Sequence, residues 1–375
     1  MAREKLRVAV IFGGRSGEHE VSLVSAGAVL HALDGDKYDV VPIGITREGR
    51  WISSPDALTL LKERSALASA PGCVLMPEPR HEGLLILSER GSSAGALDVA
   101  IPLVHGTYGE DGTLQGLLEL ADLPYVGAGV LGSAAGMDKV VQKQLFAQAG
   151  LRIAKYEWRL SSRCRMEPQR VIREIEAKLR YPIFVKPANT GSSVGITKAH
   201  TRAELLKGMA EAESFDRKVV FEQGIAGARE IECSLLGNDT PEVSVCGEVI
   251  SSNEFYDYDA KYVDGASRSE IPARLPRRIA EQIRRLAIRA YVAIDCAGMA
   301  RADFFVTRRS GAIYINELNT IPGFTSISMY PKLWGASGVT FQALLDRLIG
   351  LAIDRHAEKR RLLHKYDPSA EWYRS

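Results

Sequence analysis

The sequence predicts an α/β protein with α+β lobes: an N-terminal domain on a parallel sheet, followed by two mixed lobes. Three observations carry this. Apolar strand segments alternate with helical segments over the first third of the chain, the pattern of a parallel sheet with crossover helices. A length of 375 residues is more than one hydrophobic core serves and asks for two or three domains. Two segments near the C-terminus, Met299–Thr307 and Ala312–Asn319, alternate with period two and read as a strand hairpin.

In order, Leu6–Phe12 is an apolar strand, then Gly13-Gly14-Arg15-Ser16-Gly17-Glu18 leads into a helix through Leu33. Val40–Ile45 and Val99–Val104 are further strands, and Thr113–Leu120 is a helix after the turn Gly109-Glu110-Asp111-Gly112. This domain ends near Gly127-Ala128-Gly129. A helix at Lys139–Ala149, a strand at Tyr156–Leu160, a helix at Pro168–Leu179 and strands at Ile183–Lys186 and Val219–Glu222 form a small α+β lobe. The remainder holds strands Glu230–Leu236 and Glu242–Ile250, a long helix Arg277–Ala293, the hairpin, a helix at Phe341–Ile353 and a basic tail that extends that helix and frays. Ser251–Pro272 has no period but is rich in tyrosine, which suggests a lid over a site.

The composition, 46% hydrophobic and 25% charged, is that of a soluble globular protein, and a net charge of +2 points to no nucleic-acid partner. No apolar run approaches membrane-spanning length, and the N-terminus reads as the approach to a strand rather than a signal peptide. Five scattered cysteines without a CxxC pair fit reduced, buried thiols in a cytoplasm.

The hairpin carries the chemistry. A three-residue loop, Arg309-Ser310-Gly311, would pair Arg308 with Ala312, so that Asp303 faces Glu317 and Arg301 faces Asn319. Directly opposed carboxylates repel. A hard cation between them reverses the sign, and Asp, Glu and Asn oxygens suit Mg²⁺ when a phosphate supplies the other ligands. The alternative is a solvated face on which Arg301 neutralises the acids. Ile313 and Ile315, expected on the face of Glu317 and Asn319, together with Phe305 on that of Asp303, favour the metal. A register slip of one residue would undo the pairing.

Lys186 ends a strand and is followed by Asn189-Thr190-Gly191-Ser192-Ser193-Val194-Gly195, whose small residues let main-chain N–H groups converge on a phosphate. On this segment alone, a flexible hairpin with an exposed lysine stands equally. Lys139, read alone, is a surface residue at a helix start. Asn319-Thr320-Ile321-Pro322-Gly323 leaves the metal strand through a turn in which Gly323 can offer an oxyanion donor, with Arg301 beside it. Thr325, Ser326 or Ser328 reads as a helix cap. Gly13-Gly14-Arg15-Ser16-Gly17 lacks GxGxxG spacing, which argues against a dinucleotide-dependent dehydrogenase. His105 follows a strand at the sheet edge where ligands of open α/β domains gather.

Taken in order, Phe12-Gly13-Gly14-Arg15-Ser16-Gly17-Glu18-His19-Glu20-Val21-Ser22, His105-Gly106-Thr107-Tyr108-Gly109-Glu110-Asp111-Gly112, Met137-Asp138-Lys139, Lys186 to Gly195, Tyr256 to Tyr262, Arg301-Ala302-Asp303 and Asn316 to Gly323 resemble the D-alanine–D-alanine ligases of the ATP-grasp superfamily. The resemblance implies a Rossmann-like substrate domain over 1–129, an ATP-grasp small lobe over 130–227 and a C-terminal lobe with lid and metal site over 228–375. It implies ATP held by Lys139, Lys186, Ser192, Ser193, Glu222, Glu230, Lys261 and Asn316, and two Mg²⁺, with Mn²⁺ an alternative, on Asp303, Glu317 and Asn319.

In the chemistry it implies, the first D-alanine pairs with Glu18, with His105 also at the substrate. Its carboxylate takes the γ-phosphate, and the second D-alanine attacks the acyl phosphate. Arg301 and Gly323 meet the oxyanion, and Lys261, Ser328 and the Met329 amide hold the second carboxylate. Glu18, Ser192 and Tyr262 would close the lid; a tyrosine at 262 favours D-alanine as acceptor. A cytoplasmic homodimer serving peptidoglycan synthesis is implied. The alternatives are a D-alanine–D-lactate (depsipeptide) ligase and a non-catalytic nucleotide-binding ATP-grasp module, the latter opposed by the presence of Asp303, Glu317 and Asn319.

Overall fold

The computed structural model describes residues 5–79, 83–88, 91–250, 268–325 and 327–363. Three sheets follow one another along the chain. The first contains β1 (Leu6–Gly13), β2 (Tyr38–Ile45), β3 (Trp51–Ser53), β4 (Gly72–Leu75), β5 (Gly83–Ser88), β6 (Gly91–Ala96) and β7 (Val99–Pro102), in the order β6-β5-β4-β3-β2-β1-β7. Val8 to Phe12 of β1 are fully buried, as an interior strand covered on both faces requires. The expected parallel arrangement holds at this end of the sheet, where β1 pairs β2 and β7. It fails outside it: β3 to β6 add antiparallel strands, so the sheet is mixed.

The second sheet contains β8 (Tyr156–Leu160), β9 (Ile183–Pro187), β10 (Thr197–Ala199) and β11 (Lys218–Gln223), in the order β10-β9-β11-β8. Helices Pro168–Glu176 and Arg202–Phe215 bury Val171, Ile172, Ile175, Leu205, Met209 and Ala212 against it.

The third sheet contains β12 (Ala228–Gly237), β13 (Glu242–Val243), β14 (Gly247–Ile250), β15 (Arg268–Glu270), β16 (Gly298–Thr307) and β17 (Ile313–Asn319), in the order β15-β14-β12-β16-β17 with β13 also on β12. The single strand expected over Glu242–Ile250 is therefore two short strands. The end of the expected lid is also ordered as a strand, since β15 pairs with β14; residues 251–267 of that lid, with Lys261 and Tyr262, lie outside the described residues. Helix Arg277–Ala293 lays Ile283, Ala287, Ala290 and Tyr291 on one face of the sheet at helical spacing.

The hairpin β16–β17 differs from the expectation in an instructive way. The Thr307 amide donates to the Ala312 carbonyl, so the loop is four residues, 308–311, and Val306 pairs with Ile313, Phe305 with Tyr314 and Phe304 with Ile315. That is the one-residue slip that would have separated the acids. A bulge between Asp303 and Phe304, opposite Asn316, restores the register, and Asp303 faces Glu317 and Arg301 faces Asn319 as anticipated. The bulge also changes the facing: Ile313 and Ile315 are buried in the core, whereas Glu317 and Asn319 are half-buried on the opposite face. The two isoleucines therefore lie beneath the acids and do not flank them.

Among the described residues no single helix is long and apolar enough to cross a membrane; Met329–Ala336 and Phe341–Arg360 combine sufficient length and apolarity only as a pair, and that pair is bent by 105°. Both pack in the core that the first sheet shares with the third: Tyr330, Trp334, Leu344, Leu345 and Leu348 join Val8, Val10, Phe12 and Leu236.

All five cysteines are free and buried. Burial pushes the thiols of Cys73 and Cys296 up to about 12 and those of Cys164 and Cys246 to about 11, and it raises Cys233 well above its ordinary value. The folded protein is expected to leave all of them unreactive towards an aromatic disulfide reagent at pH ~8, with full titration in denaturant. Rapid modification of any of them without unfolding would contradict this packing.

Candidate active site

Across the third sheet the chain sets two carboxylates, Asp303 and Glu317, directly opposite each other. Such a pair repels unless cations sit over it. Arg301, one row along β16, sets Nε 2.7 Å from Oδ1 and Nη2 2.7 Å from Oδ2 of Asp303, and Asn319 Nδ2 donates to Asp303 Oδ2 at 3.0 Å. Arg301 is held well above its ordinary range: burial works against the charge, and the charges of Asp303, Glu232 and Glu317 outweigh it. Among the described residues no three His, Cys, Asp or Glu side chains converge as a complete metal cluster. Two carboxylates and an amide form half a shell of hard oxygens. That fits a divalent cation whose remaining ligands come from phosphate and water.

Helix Lys139–Gln148 supplies the opposing charge. Asp138 caps it, accepting from Val140 N at 3.0 Å and Val141 N at 3.1 Å, and forms an ion pair with Lys218. One helical face then presents Lys139, Gln142 and Lys143 at i, i+3 and i+4. Lys139 is not a surface side chain: it lines the cleft and its Nζ donates to the Thr190 carbonyl at 2.6 Å. Burial lowers its pKa, with the neighbouring Lys186 and Lys143 acting in the same sense against Glu317 and Glu18. Gln142 clamps β17 like an extra strand: its Nε2 donates to the Leu318 carbonyl at 2.9 Å and its Oε1 accepts from Leu318 N at 3.1 Å. Lys143 forms an ion pair with Glu222 and donates to the Asn316 carbonyl, at the bulge, at 3.4 Å.

Lys186 completes a buried triad. Its Nζ lies 2.9 Å from Glu222 Oε1. Desolvation would raise the Glu222 carboxyl, but Lys143 and Lys186 together pull it down to about 2. Lys186 is itself raised: burial opposes its charge, and Glu222, Glu317 and Glu230 prevail. Both oxygens of Glu222 thus face lysines.

The loop after β9 closes over this arrangement. Ser192 and Ser193 adopt left-handed conformations, φ 46° and 63°, followed by Gly195 at 69°. At non-glycine positions this costs of order 1–3 kcal/mol each, and such strain gathers at functional sites. Ser192 Oγ donates to Glu18 Oε1, which joins the second lobe to the N-terminal domain. Glycine leaves room on both sides of that carboxylate: a Cβ at Gly106, whose φ is 75°, would lie 2.6 Å from Glu18 Oε2, and one at Gly191 would displace the same oxygen.

His105 is buried behind Glu18. Its Nδ1 lies 3.2 Å from the Ile321 carbonyl and 3.4 Å from Glu110 Oε1, and its Nε2 lies 3.0 Å from Ser25 Oγ. Burial alone would lower its pKa; the hydrogen bond and charge of Glu110, the charge of Glu18 and the Ile321 carbonyl raise it. Ser25 Oγ also accepts from Phe324 N at 3.4 Å. The turn that carries Gly323 is therefore fixed at both ends from the first domain. A Cβ at Gly323 would lie 2.8 Å from Ser328 Oγ, so the glycine leaves room for that hydroxyl at the start of helix Met329–Ala336.

Every described candidate from the sequence lines one cleft of about 460 Å³: the acids and Asn316, Asn319 and Arg301 from the third sheet; Lys139, Lys186, Ser192, Ser193 and Glu222 from the second lobe; Glu18 and His105 from the first domain; and Glu230, Gly323, Ser328 and Met329. Residues 7–128 match the family D-ala D-ala ligase N-terminus, and residues 145–350 match the family D-ala D-ala ligase C-terminus. The chain belongs to the D-alanine–D-alanine ligase family.

A D-alanine–D-alanine ligase from Thermoanaerobacter sp. (strain X514) is 48% identical over 357 residues, 95% of this chain and 99% of that protein. Among solved structures, the VanG D-Ala:D-Ser ligase from Enterococcus faecalis superposes with a TM-score of 0.81 at 38% identity, covering 93% of this chain and 100% of the other. The D-alanine–D-alanine ligase from Coxiella burnetii gives 0.80 at 37% identity, covering 96% and 97%.

Sequence reasoning missed four side chains of this ligase that hold the site together: Gln142, Lys143, Ser25 and Glu110. The stripe of Lys139, Gln142 and Lys143 was the available signal, since a polar i, i+3, i+4 ridge beside an apolar face can turn inward to another charged element. Glu222→Gln should leave two buried lysines without their counter-charge and destabilise the fold by ~3–5 kcal/mol in urea titration. Because the folded carboxyl titrates at about 2 against an ordinary 4.5, this contribution is full above the ordinary value and fades as pH falls towards the lower one. A loss below ~1 kcal/mol would mean the lysines find other partners.

Proposed function

We propose that this ligase joins two D-alanines at the expense of ATP, giving D-alanyl-D-alanine, ADP and phosphate for peptidoglycan. The observation that carries the reading is the meeting, in one cleft, of the opposed Asp303–Glu317 pair with Lys139 and Lys186. A carboxylate resists attack by an amine until one oxygen becomes a leaving group, and phosphoryl transfer asks a protein mainly for positioning and neutralisation of charge.

In this reading Lys139 and Lys186 hold the phosphates beneath the strained loop at Ser192 and Ser193. Asp303, Glu317 and Asn319 hold two Mg²⁺, or Mn²⁺, which would neutralise the triphosphate. The apolar side chains of Phe184 and Phe305, the latter on the same strand face as Asp303, take the base, with Glu222 and Glu230 at the polar edge and Asn316 beside the phosphates. Glu18, backed by Ser192 and near His105, takes the first ammonium. The first carboxylate displaces ADP at the γ-phosphorus, and the second amine then attacks the acyl phosphate carbonyl. Arg301 and the Gly323 amide receive the oxyanion. Ser328 and the Met329 amide, at a helix start, receive the second carboxylate. Lys261 and Tyr262, assigned to the acceptor and the lid, lie outside the described residues.

We divide the chain into 1–129, 130–227 and 228–375 on the ground that each part carries one sheet. A cytoplasmic homodimer is the assembly and setting we assign, from the family resemblance and the reduced thiols.

The fold similarity to the Enterococcus faecalis D-Ala:D-Ser ligase gives a second acceptor, D-serine, a concrete standing beside D-alanine and D-lactate. Purified enzyme with ATP, Mg²⁺ and D-alanine alone should release phosphate and form the dipeptide. In competition, an amine acceptor gains as pH rises and its ammonium deprotonates, whereas D-lactate gains as pH falls. No phosphate with D-alanine, or a depsipeptide dominating above neutrality, would reject the assignment. Asp303→Ala should fold, by thermal melting, yet turn over at least ~100-fold more slowly.

A further inference from the structure

One carboxylate that lines the cleft has no part in the reaction described above. Glu232 on β12 faces Asp303 on β16, which faces Glu317 on β17, so three acids form a single row across three neighbouring strands. Arg301 stands one row along, between Ser234 and Asn319. Its guanidinium leans back over the acid row and is shared: Nε is 2.7 Å from Asp303 Oδ1 and 3.1 Å from Glu232 Oε2. Glu232 is buried, 8% exposed, and the Arg301 side chain is 20% exposed.

We propose that Glu232 is a positioning residue, the second anchor that keeps Arg301 paired and aimed at the reaction centre when a divalent cation claims Asp303. The inference rests on the reading of Asp303 as a cation ligand. Two cations then compete for one carboxylate, because Asp303 already takes both Nε and Nη2 of Arg301. An arginine cannot resolve the conflict by losing its proton. Stripped of its partner in a closed cleft it would be a buried, uncompensated charge, which proteins avoid. Glu232 comes from β12, across β16 from β17, and its Oε2 lies within ion-pair distance of the same Nε. It can hold the guanidinium while the face towards Asp303 and Gly323 is given over to cation and substrate. A residue with this task must be acidic, buried and in register with Asp303, and Glu232 meets all three conditions.

The test is Mn²⁺ binding in the presence of ADP, followed by electron paramagnetic resonance, with thermal melting to verify folding. Glu232→Gln keeps the shape and removes the charge. It should weaken Mn²⁺ roughly tenfold, because the cation must then compete directly with the ion pair that Arg301 makes with Asp303. Glu232→Asp should recover part of the loss. Steady-state kinetics of Glu232→Gln should show a fall in kcat larger than any rise in KM for ATP, since Arg301 is needed when the oxyanion forms. In an Arg301→Ala background the same Glu232→Gln change should have no further effect on Mn²⁺, as the competition it relieves is gone.

An equal weakening with and without Arg301 would overturn the proposal and make Glu232 only one more negative charge. So would Mn²⁺ affinity unchanged by Glu232→Gln while Asp303→Asn abolishes it. If Asp303→Asn itself leaves Mn²⁺ binding intact, the cation assignment falls and the role of Glu232 falls with it.

Discussion

Two like charges held face to face across a pair of strands organise everything around them. Asp303 and Glu317 cannot relax apart, because each is fixed by the hydrogen-bonded ladder of β16 and β17. The molecule answers with cations from three directions: Arg301 on the same sheet, and Lys139 and Lys186 from the second lobe. Lys143 stands behind them, tied to Glu222. An ATP-dependent ligase needs such a field, since a triphosphate must be drawn in and its charge spread before an amino-acid carboxylate can approach.

The second lobe is held to this pair by one short helix more than by its sheet. Lys139, Gln142 and Lys143 leave the same face of helix Lys139–Gln148 and reach three targets: the strained loop, the main chain of β17 and the Glu222 carboxylate. The outer edge of β17 would otherwise carry unpaired main-chain groups, a liability in any sheet. Gln142 satisfies it at Leu318, between Glu317 and Asn319, so the grip that protects the edge also sets the acids.

Much of this was readable from residue order. Period-two alternation located both hairpin strands, and the ordered motifs located the ligase family. The opposed acids were also foreseen, although the loop is a residue longer than expected and only the bulge opposite Asn316 brings the register back. A bulge has no compositional mark in this chain, because Asn316 lies within an unbroken strand-like run. The outer strands of the first sheet escaped for a different reason. Gly91 to Ala96, Gly-Ser-Ser-Ala-Gly-Ala, contains no β-branched or aromatic residue, so its strand character comes from its partner Gly83–Ser88. Gln142 and Lys143 left only the polar ridge they share with Lys139 as a signal, and Glu232 left none, because burial of charge depends on a partner distant in sequence.

The helix Phe341–Arg360 shares one apolar core with strands near the start of the chain, and Asp346 receives hydrogen bonds from Lys37 Nζ and Tyr38 Oη, each at 2.7 Å. During synthesis on a ribosome, the first sheet emerges long before the helix that covers it. Until the final turns of that helix leave the exit tunnel, Val8, Phe12 and their neighbours lack their native cover, so the nascent ligase passes through a period in which shielding by a chaperone matters most.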